Sequence, residues 1–289
     1  MINWLSKKIS ILGAGGSGIS AAKLGSYAGA KVLLSDTKSN IHDININNVS
    51  VEWGGHSNKV LESDFIIKSP GIPNNIDIIK KAKTKNIKII SEIEFAGSFT
   101  RLPIIAITGS NGKTTTVELL NNIFKNAGFN SILGGNVGTP FSENVLCEIS
   151  KKYEDGIHLL ELSSFQLEQT ENLSLEIGCI LNISEDHLDR YKDYEEYINT
   201  KLKIIKLISN NGFIIYNNND ETLRKKISDT KNSISFSYTD LYKTNINTDN
   251  IHLKGKHNHS NIAAKLAISN IYNINVNVLF FIIIPILRI

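Results

Sequence analysis

Thr108-Gly109-Ser110-Asn111-Gly112-Lys113-Thr114 sets two glycines, a lysine and a threonine in an order suited to holding phosphate. The apolar run Ile104-Ile105-Ala106-Ile107 before it reads as a short buried strand. After it, Val117, Leu120, Ile123 and Phe124 recur at helical spacing. A strand, a glycine loop and a helix opening on Lys-Thr make a P-loop. Its backbone N–H groups and helix N-terminus face phosphates, Lys113 reaches the terminal ones, and Thr114 offers a hydroxyl to Mg²⁺. Gly109, Ser110, Asn111, Gly112, Lys113, Thr114 and Thr115 are therefore the candidate nucleotide cradle. The strict pattern asks for Gly at position 107, where this chain has Ile107. A plain glycine turn would have no need of Lys-Thr in this register.

A second glycine run, Gly13-Ala14-Gly15-Gly16-Ser17-Gly18, lies between a predicted strand and helix, with Asp36 closing the next strand. It fits a dinucleotide fingerprint, in which the backbone approaches a diphosphate and an acidic group meets a ribose. A nucleotide-sugar diphosphate would use the same loop, and Asp36 suits a ribose or a base. Glycines that only pack a helix on a strand are the structural alternative.

Glu161-Leu162-Ser163-Ser164 follows the apolar Ile157–Leu160 segment. A carboxylate at that strand end, beside a P-loop strand, suits Mg²⁺ directly or through water; a solvated glutamate is the plainer reading. Asn182 to Arg190 is a dense polar cluster at the next strand end, where His187 suits a second Mg²⁺ or a substrate carboxylate. Gly134-Gly135-Asn136-Val137-Gly138 is a further glycine loop that would bring Asn136 to phosphate or substrate, or simply turn the chain. Asn258, read as an N-cap of the last helix, leaves Asn261 unexplained by capping.

Lys201 stands out on periodicity alone. Tyr194, Tyr197, Ile198, Ile205 and Ile208 form an apolar stripe on a helix over Tyr194–Ile208, and Lys201 falls near its middle. A buried ammonium is unfavourable unless it is paired or modified, and burial lowers its pKa, freeing the neutral amine to add CO₂. The resulting carbamate would be an oxygen ligand for Mg²⁺. A lysine snorkelling to the helix edge fits the same stripe, and the two readings stay open.

These residues need a scaffold, and the alternation of segments supplies one. Strands at Lys8–Leu12, Lys31–Ser35, Phe65–Ile67 and Ile87–Ile90 interleave with helices at Ser17–Gly29 and Ile76–Lys85, predicting a parallel α/β sheet. The pattern restarts near Phe99–Pro103 as a second α/β unit, with strands at His158–Leu162, Ile177–Ile183 and Gly212–Tyr216. The expected fold is a Rossmann-like parallel-sheet domain over 1–98 and a P-loop α/β domain over 99–278. Asn217 to Asn250 reads as loops and short strands. The apolar tail at 279–289 is too short to span a bilayer.

The 289 residues suffice for two cores, and 31 basic against 28 acidic residues give a net charge of +3. That near-balance gives no electrostatic reason to expect nucleic acid or membrane partners. The two cysteines, Cys147 and Cys179, lack metal spacing and suit a reducing compartment. Glycines interrupt the apolar N-terminal stretch, so no signal-peptide core forms and a cytoplasmic location is expected.

Taken in order, Ile105–Thr115, Gly134–Gly138, Glu161–Glu168, Leu181–Tyr191, Lys201–Ile204, Gly255–Asn261 and Ser69-Pro70-Gly71-Ile72 resemble the Mur ligases. The segments ELSSFQLE and N-x-x-E-D-H-x-D-R-Y are most similar to the D-glutamate-adding branch. The resemblance implies an ATP-dependent acid–amino-acid ligase of peptidoglycan precursor synthesis, acting as a monomer on UDP-N-acetylmuramoyl-L-alanine and D-glutamate. It implies that Gly13, Gly15, Ser17, Gly18, Asp36, Thr37 and Gly71 hold the UDP part, with Asn136 and Ser163 also on the substrate side. It implies ATP on Lys113 and Thr114, Asn258 and Asn261 near adenine, Mg²⁺ at Thr114, Glu161 and His187, and a carbamate on Lys201. Lys113, Glu161, His187 and Lys201 would be catalytic. Family members carry a third domain that binds the amino acid; the closing tail does not resemble it, and a truncated or frameshifted product is expected. Other readings are another Mur ligase, a folylpolyglutamate-synthase-like ligase, a non-catalytic nucleotide-binding remnant and, more distantly, a nicotinamide dehydrogenase.

Overall fold

A computed structural model describes residues 2–39, 44–186, 190–243 and 255–274. His187 and the 279–289 tail lie outside the described residues.

The first sheet contains β1 (Lys8–Leu12), β2 (Lys31–Ser35), β3 (Val49–Glu52), β4 (Phe65–Lys68) and β5 (Lys88–Ser91). They run in the order β3-β2-β1-β4-β5, and all four pairings are parallel. Ile9, Ile11, Leu12, Leu34, Ile66 and Ile67 are buried, as central parallel strands covered on both faces require. Helices α1 (Gly16–Tyr27), α2 (Asp77–Thr84) and α3 (Glu92–Gly97) accompany this sheet. The turn into α1 is tight: a Cβ on Gly18 would sit 1.8 Å from the Gly13 carbonyl oxygen. Only glycine allows that approach.

The strands of the second sheet begin after α3, where the chain runs through β6 (Ile104–Thr108), α4 (Lys113–Asn126), β7 (Ser131–Gly135), α5 (Phe141–Lys151) and β8 (Ile157–Glu161). It continues through α6 (Ser164–Leu167), β9 (Leu175–Ile180), α7 (Tyr194–Lys206), β10 (Ile208–Asn217), α8 (Glu221–Ile227), β11 (Ser233–Phe236) and α9 (Lys256–Ile271). Strand order is β11-β10-β9-β6-β8-β7, again with parallel pairing throughout. β6 lies between β8 and β9, so the loops at the carboxyl ends of these three strands meet where the winding reverses. That is where an open α/β sheet places its ligand.

The chain forms two compact units. One comprises Met1–Arg101, Thr139–Tyr153 and Phe165–Leu173; the other comprises Leu102–Gly138, Glu154–Ser164 and Ser174–Ile289. A single boundary near residue 98 therefore misses two excursions of the chain back to the first unit. Two glutamates of α3 hold these segments. Buried Glu92 accepts the Ser142 N–H in the first turn of α5, and Glu94 accepts the N–H groups of Glu171 and Asn172.

Other expectations need correction. Asn217 to Asn250 contains a helix, α8, capped by Asp220, whose carboxylate accepts the Leu223 N–H at 3.1 Å. The last helix begins at Lys256 with Gly255 as its cap, so Asn258 lies inside the first turn. α7 stops at Lys206 and Ile208 opens β10. Among the described residues no helix is long and apolar enough to cross a membrane.

Candidate active site

Glu161 is the centre around which the P-loop side is built. The register of β7 and β8 sets Gly135 opposite Glu161. Gly135 has φ +99°, and a Cβ there would lie 2.3 Å from the Glu161 carbonyl oxygen. This close approach lets Asn136 donate its backbone N–H to the Glu161 carbonyl at 2.9 Å and its side-chain Nδ2 to Oε1 at 2.8 Å. Thr114, in the first turn of α4, donates Oγ1–H to Oε2 at 2.7 Å. Glu161 is 2% exposed, so it is not a solvated strand-end glutamate. One of its oxygens is oriented from the first turn of α4 and the other from the loop after β7.

Lys201 enters from α7, whose start is fixed by Asp193 accepting the Glu196 N–H at 2.8 Å. The buried face consists of Tyr197, Ile198, Thr200, Lys201 and Ile204. Lys201 is 2% exposed, which excludes snorkelling to the helix edge. Its Nζ donates to the Gly109 carbonyl at 2.8 Å and lies 4.8 Å from the centre of the Tyr197 ring. Burial, reinforced by the charge of Lys113, lowers its pKa to about 7. Lys113 Nζ donates to the carbonyls of Gly109 and Ser110, both at 2.9 Å.

Contrary to the P-loop expectation, two of the loop amides are engaged within the protein. Ser110 donates its N–H to the Asn182 carbonyl at 3.0 Å, and Asn111 donates its N–H to Asn182 Oδ1 at 2.9 Å. The available anion donors are the N–H groups around the start of α4, which have no intrahelical acceptor.

Asn258 and Asn261 share a cavity of about 710 Å³ with Gly112 and Thr115. Asn182, Asn217, Asp220 and Tyr238 line it too, and none of these four was singled out as a site residue from the sequence. The available signals were the polar cluster that Asn182 opens and the polar run Asn217-Asn218-Asn219-Asp220 directly after a strand.

In the first unit, Gly13 donates its N–H to the Ser35 carbonyl at 2.8 Å, and Ala14 donates to Asp36 Oδ2 at 2.7 Å. Burial opposes ionisation of Asp36. The amides of Ala14 and Lys38 outweigh it, holding the carboxyl below its ordinary value. Asp36 thus fixes the glycine loop itself. Gly15, Thr37 and Gly71 are exposed and Ser17 is half-buried. Half-buried Ser163 follows β8 in the second unit.

A winding-reversal site with a glycine–lysine loop, a buried carboxylate and an adjoining cavity defines a P-loop-type α/β domain; the other sheet has dinucleotide-type strand order. The model of the Mur ligase middle domain matches residues 107–277, and that of the MurD-like N-terminal domain of Mur ligases matches residues 7–91. The chain belongs to the Mur ligase family. It is 36% identical to the UDP-N-acetylmuramoylalanine–D-glutamate ligase of Christiangramia forsetii, over 93% of this chain and 66% of that protein. Against proteins of the same name, identity is 34% in Geobacter sp. (90% and 63% covered) and 38% in Buchnera aphidicola (93% and 64% covered). The chain thus spans slightly less than two thirds of the length of these relatives. A solved UDP-N-acetylmuramate:L-alanyl-gamma-D-glutamyl-meso-diaminopimelate ligase from Neisseria meningitides shares the fold. Its TM-score is 0.63 at 15% identity, covering 97% of this chain and 98% of that one.

Proposed function

We propose that this chain carries the acceptor-binding and ATP-binding units of a ligase that joins D-glutamate to UDP-N-acetylmuramoyl-L-alanine. The observation that carries the reading is the Thr114–Glu161–Asn136 hydrogen-bonded chain beside Lys113 and Lys201. The relatives named for D-glutamate ligation support the choice of substrates. The glycine loop pinned by Asp36 would hold the UDP diphosphate, with Gly13, Gly15, Ser17, Gly18, Thr37 and Gly71 around it. Asn258 and Asn261 would meet adenine, while Asn136 and Ser163 would face the acceptor.

The hydroxyl of Thr114 and the carboxylate of Glu161 are adjacent hard oxygen donors, and they fit Mg²⁺. Mg²⁺ bound there neutralises charge on the phosphates. His187 and a carbamate on Lys201 would complete the oxygen and nitrogen donors; burial of the Lys201 amine favours the neutral form that CO₂ needs. Lys113 stabilises charge growing on the γ-phosphoryl group. A carboxylate oxygen of the acceptor bonds to the γ-phosphorus as the bond to the ADP oxygen breaks. The amine of D-glutamate then bonds to the acyl carbon, phosphate leaves with the C–O bond electrons, and the nitrogen loses a proton.

The test is hydroxylamine trapping of the acyl phosphate. Trapped product should require ATP, Mg²⁺ and UDP-N-acetylmuramoyl-L-alanine, and Lys113→Ala should abolish it. Binding of ATP and the UDP-sugar with no trapped product would identify a nucleotide-binding remnant instead.

A further inference from the structure

Two amides of the phosphate loop are already engaged within the protein, and both are engaged by one residue. Asn182 accepts the Ser110 N–H at its carbonyl (3.0 Å) and the Asn111 N–H at Oδ1 (2.9 Å), and it donates Nδ2–H to the Asn111 carbonyl at 3.0 Å. Its amide therefore pairs with both backbone groups of Asn111, as a neighbouring strand would. The next residues continue the seam. Ser184 donates its N–H to Ser110 Oγ at 2.9 Å, and Ser110 Oγ donates to the Ser184 carbonyl at 2.9 Å.

The same segment is anchored on its other side. Asn217 donates Nδ2–H to the Leu181 carbonyl at 3.0 Å, and the Ile183 N–H donates to Asp220 Oδ2 at 2.8 Å. Asn217 and Asp220 line the 710 Å³ cavity, and so does Asn182. Leu181 to Ser184 is thus one strap fastened to the phosphate loop along one edge and to the cavity wall along the other.

We propose that Asn182 is a positioning residue that presets the phosphate loop and reserves nucleotide phosphates for the amides of Gly112 to Thr115. The inference rests on ATP binding as read above. An asparagine is required because the role needs an acceptor and a donor on one planar group. Leucine at 182 supplies neither. Aspartate retains the acceptor and sets a carboxylate oxygen against the Asn111 carbonyl.

Amide exchange by NMR and calorimetry with ATP and Mg²⁺ test this together. In the protein without nucleotide, the Ser110 and Asn111 amides should exchange slowly, and adding ATP should newly protect only Gly112 to Thr115. Asn182→Leu should speed Asn111 exchange and weaken ATP binding by roughly tenfold or more, less for AMP, with a cooperative melt retained. Asn182→Asp should keep the Asn111 amide protected while losing part of the ATP affinity. The proposal falls if Ser110 and Asn111 exchange freely until ATP is added, or if well-folded Asn182→Leu binds ATP as tightly as the parent. If the parent protein fails to bind ATP at all, the ligase reading falls, and the exchange of Ser110 and Asn111 still reports on the clasp. The exchange pattern of the parent also decides the matter should either variant fail to fold.

Discussion

Lys113 and Lys201 aim their Nζ atoms at one acceptor, the carbonyl oxygen of Gly109, from 2.9 and 2.8 Å. Two full ammonium charges converging on a single carbonyl repel one another, and Lys201 is the more deeply buried. Burial first, and the Lys113 charge second, lower the Lys201 pKa to about 7. The pair is therefore asymmetric in burial, and the Lys201 amine is poised between charged and neutral near pH 7.

Carbamate formation on Lys201 should follow that asymmetry. The neutral amine nitrogen bonds to the carbon of CO₂ and a proton is released, so uptake should rise as pH passes upward through about 7. Supplying ¹³C-labelled bicarbonate should give a carbamate carbon resonance that is lost in Lys201→Arg. Lys113→Met, by removing the neighbouring charge, should raise the Lys201 pKa and shrink the resonance at pH 7. Lys201→Ala should lose turnover and regain some with added short carboxylates. No labelled carbon at any pH between 6 and 9, with no rescue, would remove the carbamate from the mechanism.

Gly135→Ala isolates the backbone contact that brings Asn136 to Glu161. Its φ of +99° and the 2.3 Å approach to the Glu161 oxygen leave no space for a methyl group. Strain of this kind costs roughly 1–3 kcal/mol before any clash is counted, and β7 must also move away from β8. Melting temperature should drop by several degrees, and the Mg²⁺ dependence of ATP binding should weaken as Glu161 loses its Asn136 donor. An alanine variant that melts and binds Mg²⁺-ATP like the parent would show that Glu161 is oriented by Thr114 alone.

Much of this arrangement was legible because local signals agreed with the fold. The apolar runs before Gly13 and Gly109 became β1 and β6, and the helix stripe correctly buried Lys201. Less legible were elements whose reason is tertiary. α5 carries apolar residues amid polar ones, and its helical start depends on Glu92, 49 positions or more away in sequence, accepting the Ser142 N–H. The sharing of loop amides was equally hidden, since a P-loop pattern records which residues stand in the loop and not what their N–H groups meet. Asn182 belonged to a recognised polar cluster, but nothing in its spacing shows that it faces Asn111. Asp36 shows the converse: its position at a strand end was readable, while its hold on Ala14 required coordinates.

Lys265 offers a stability test unconnected with catalysis. It lies fully buried on α9, where Ile262 and Ile268 are buried too, and among the described residues its Nζ has no hydrogen-bond partner. Burial lowers its pKa to about 7 from an ordinary 10.5. Below pH 7 the folded and unfolded chains both carry the proton, and the folded state bears the whole cost of burying it. Between pH 7 and 10.5 only the unfolded chain keeps the proton, so raising the pH favours folding, and above that range the cost is gone. The difference amounts to roughly 5 kcal/mol as an upper bound, since a lysine can also move its head towards water. Lys265→Met retains the stem and deletes the charge. It should melt higher than the parent at pH 7, the gap should close as pH approaches 10, and the parent's rise in stability over that range should be flatter in the variant. Urea titrations at pH 7, 8.5 and 10 read all three, and a variant less stable than the parent at pH 7 would mean that the ammonium finds a partner in solution.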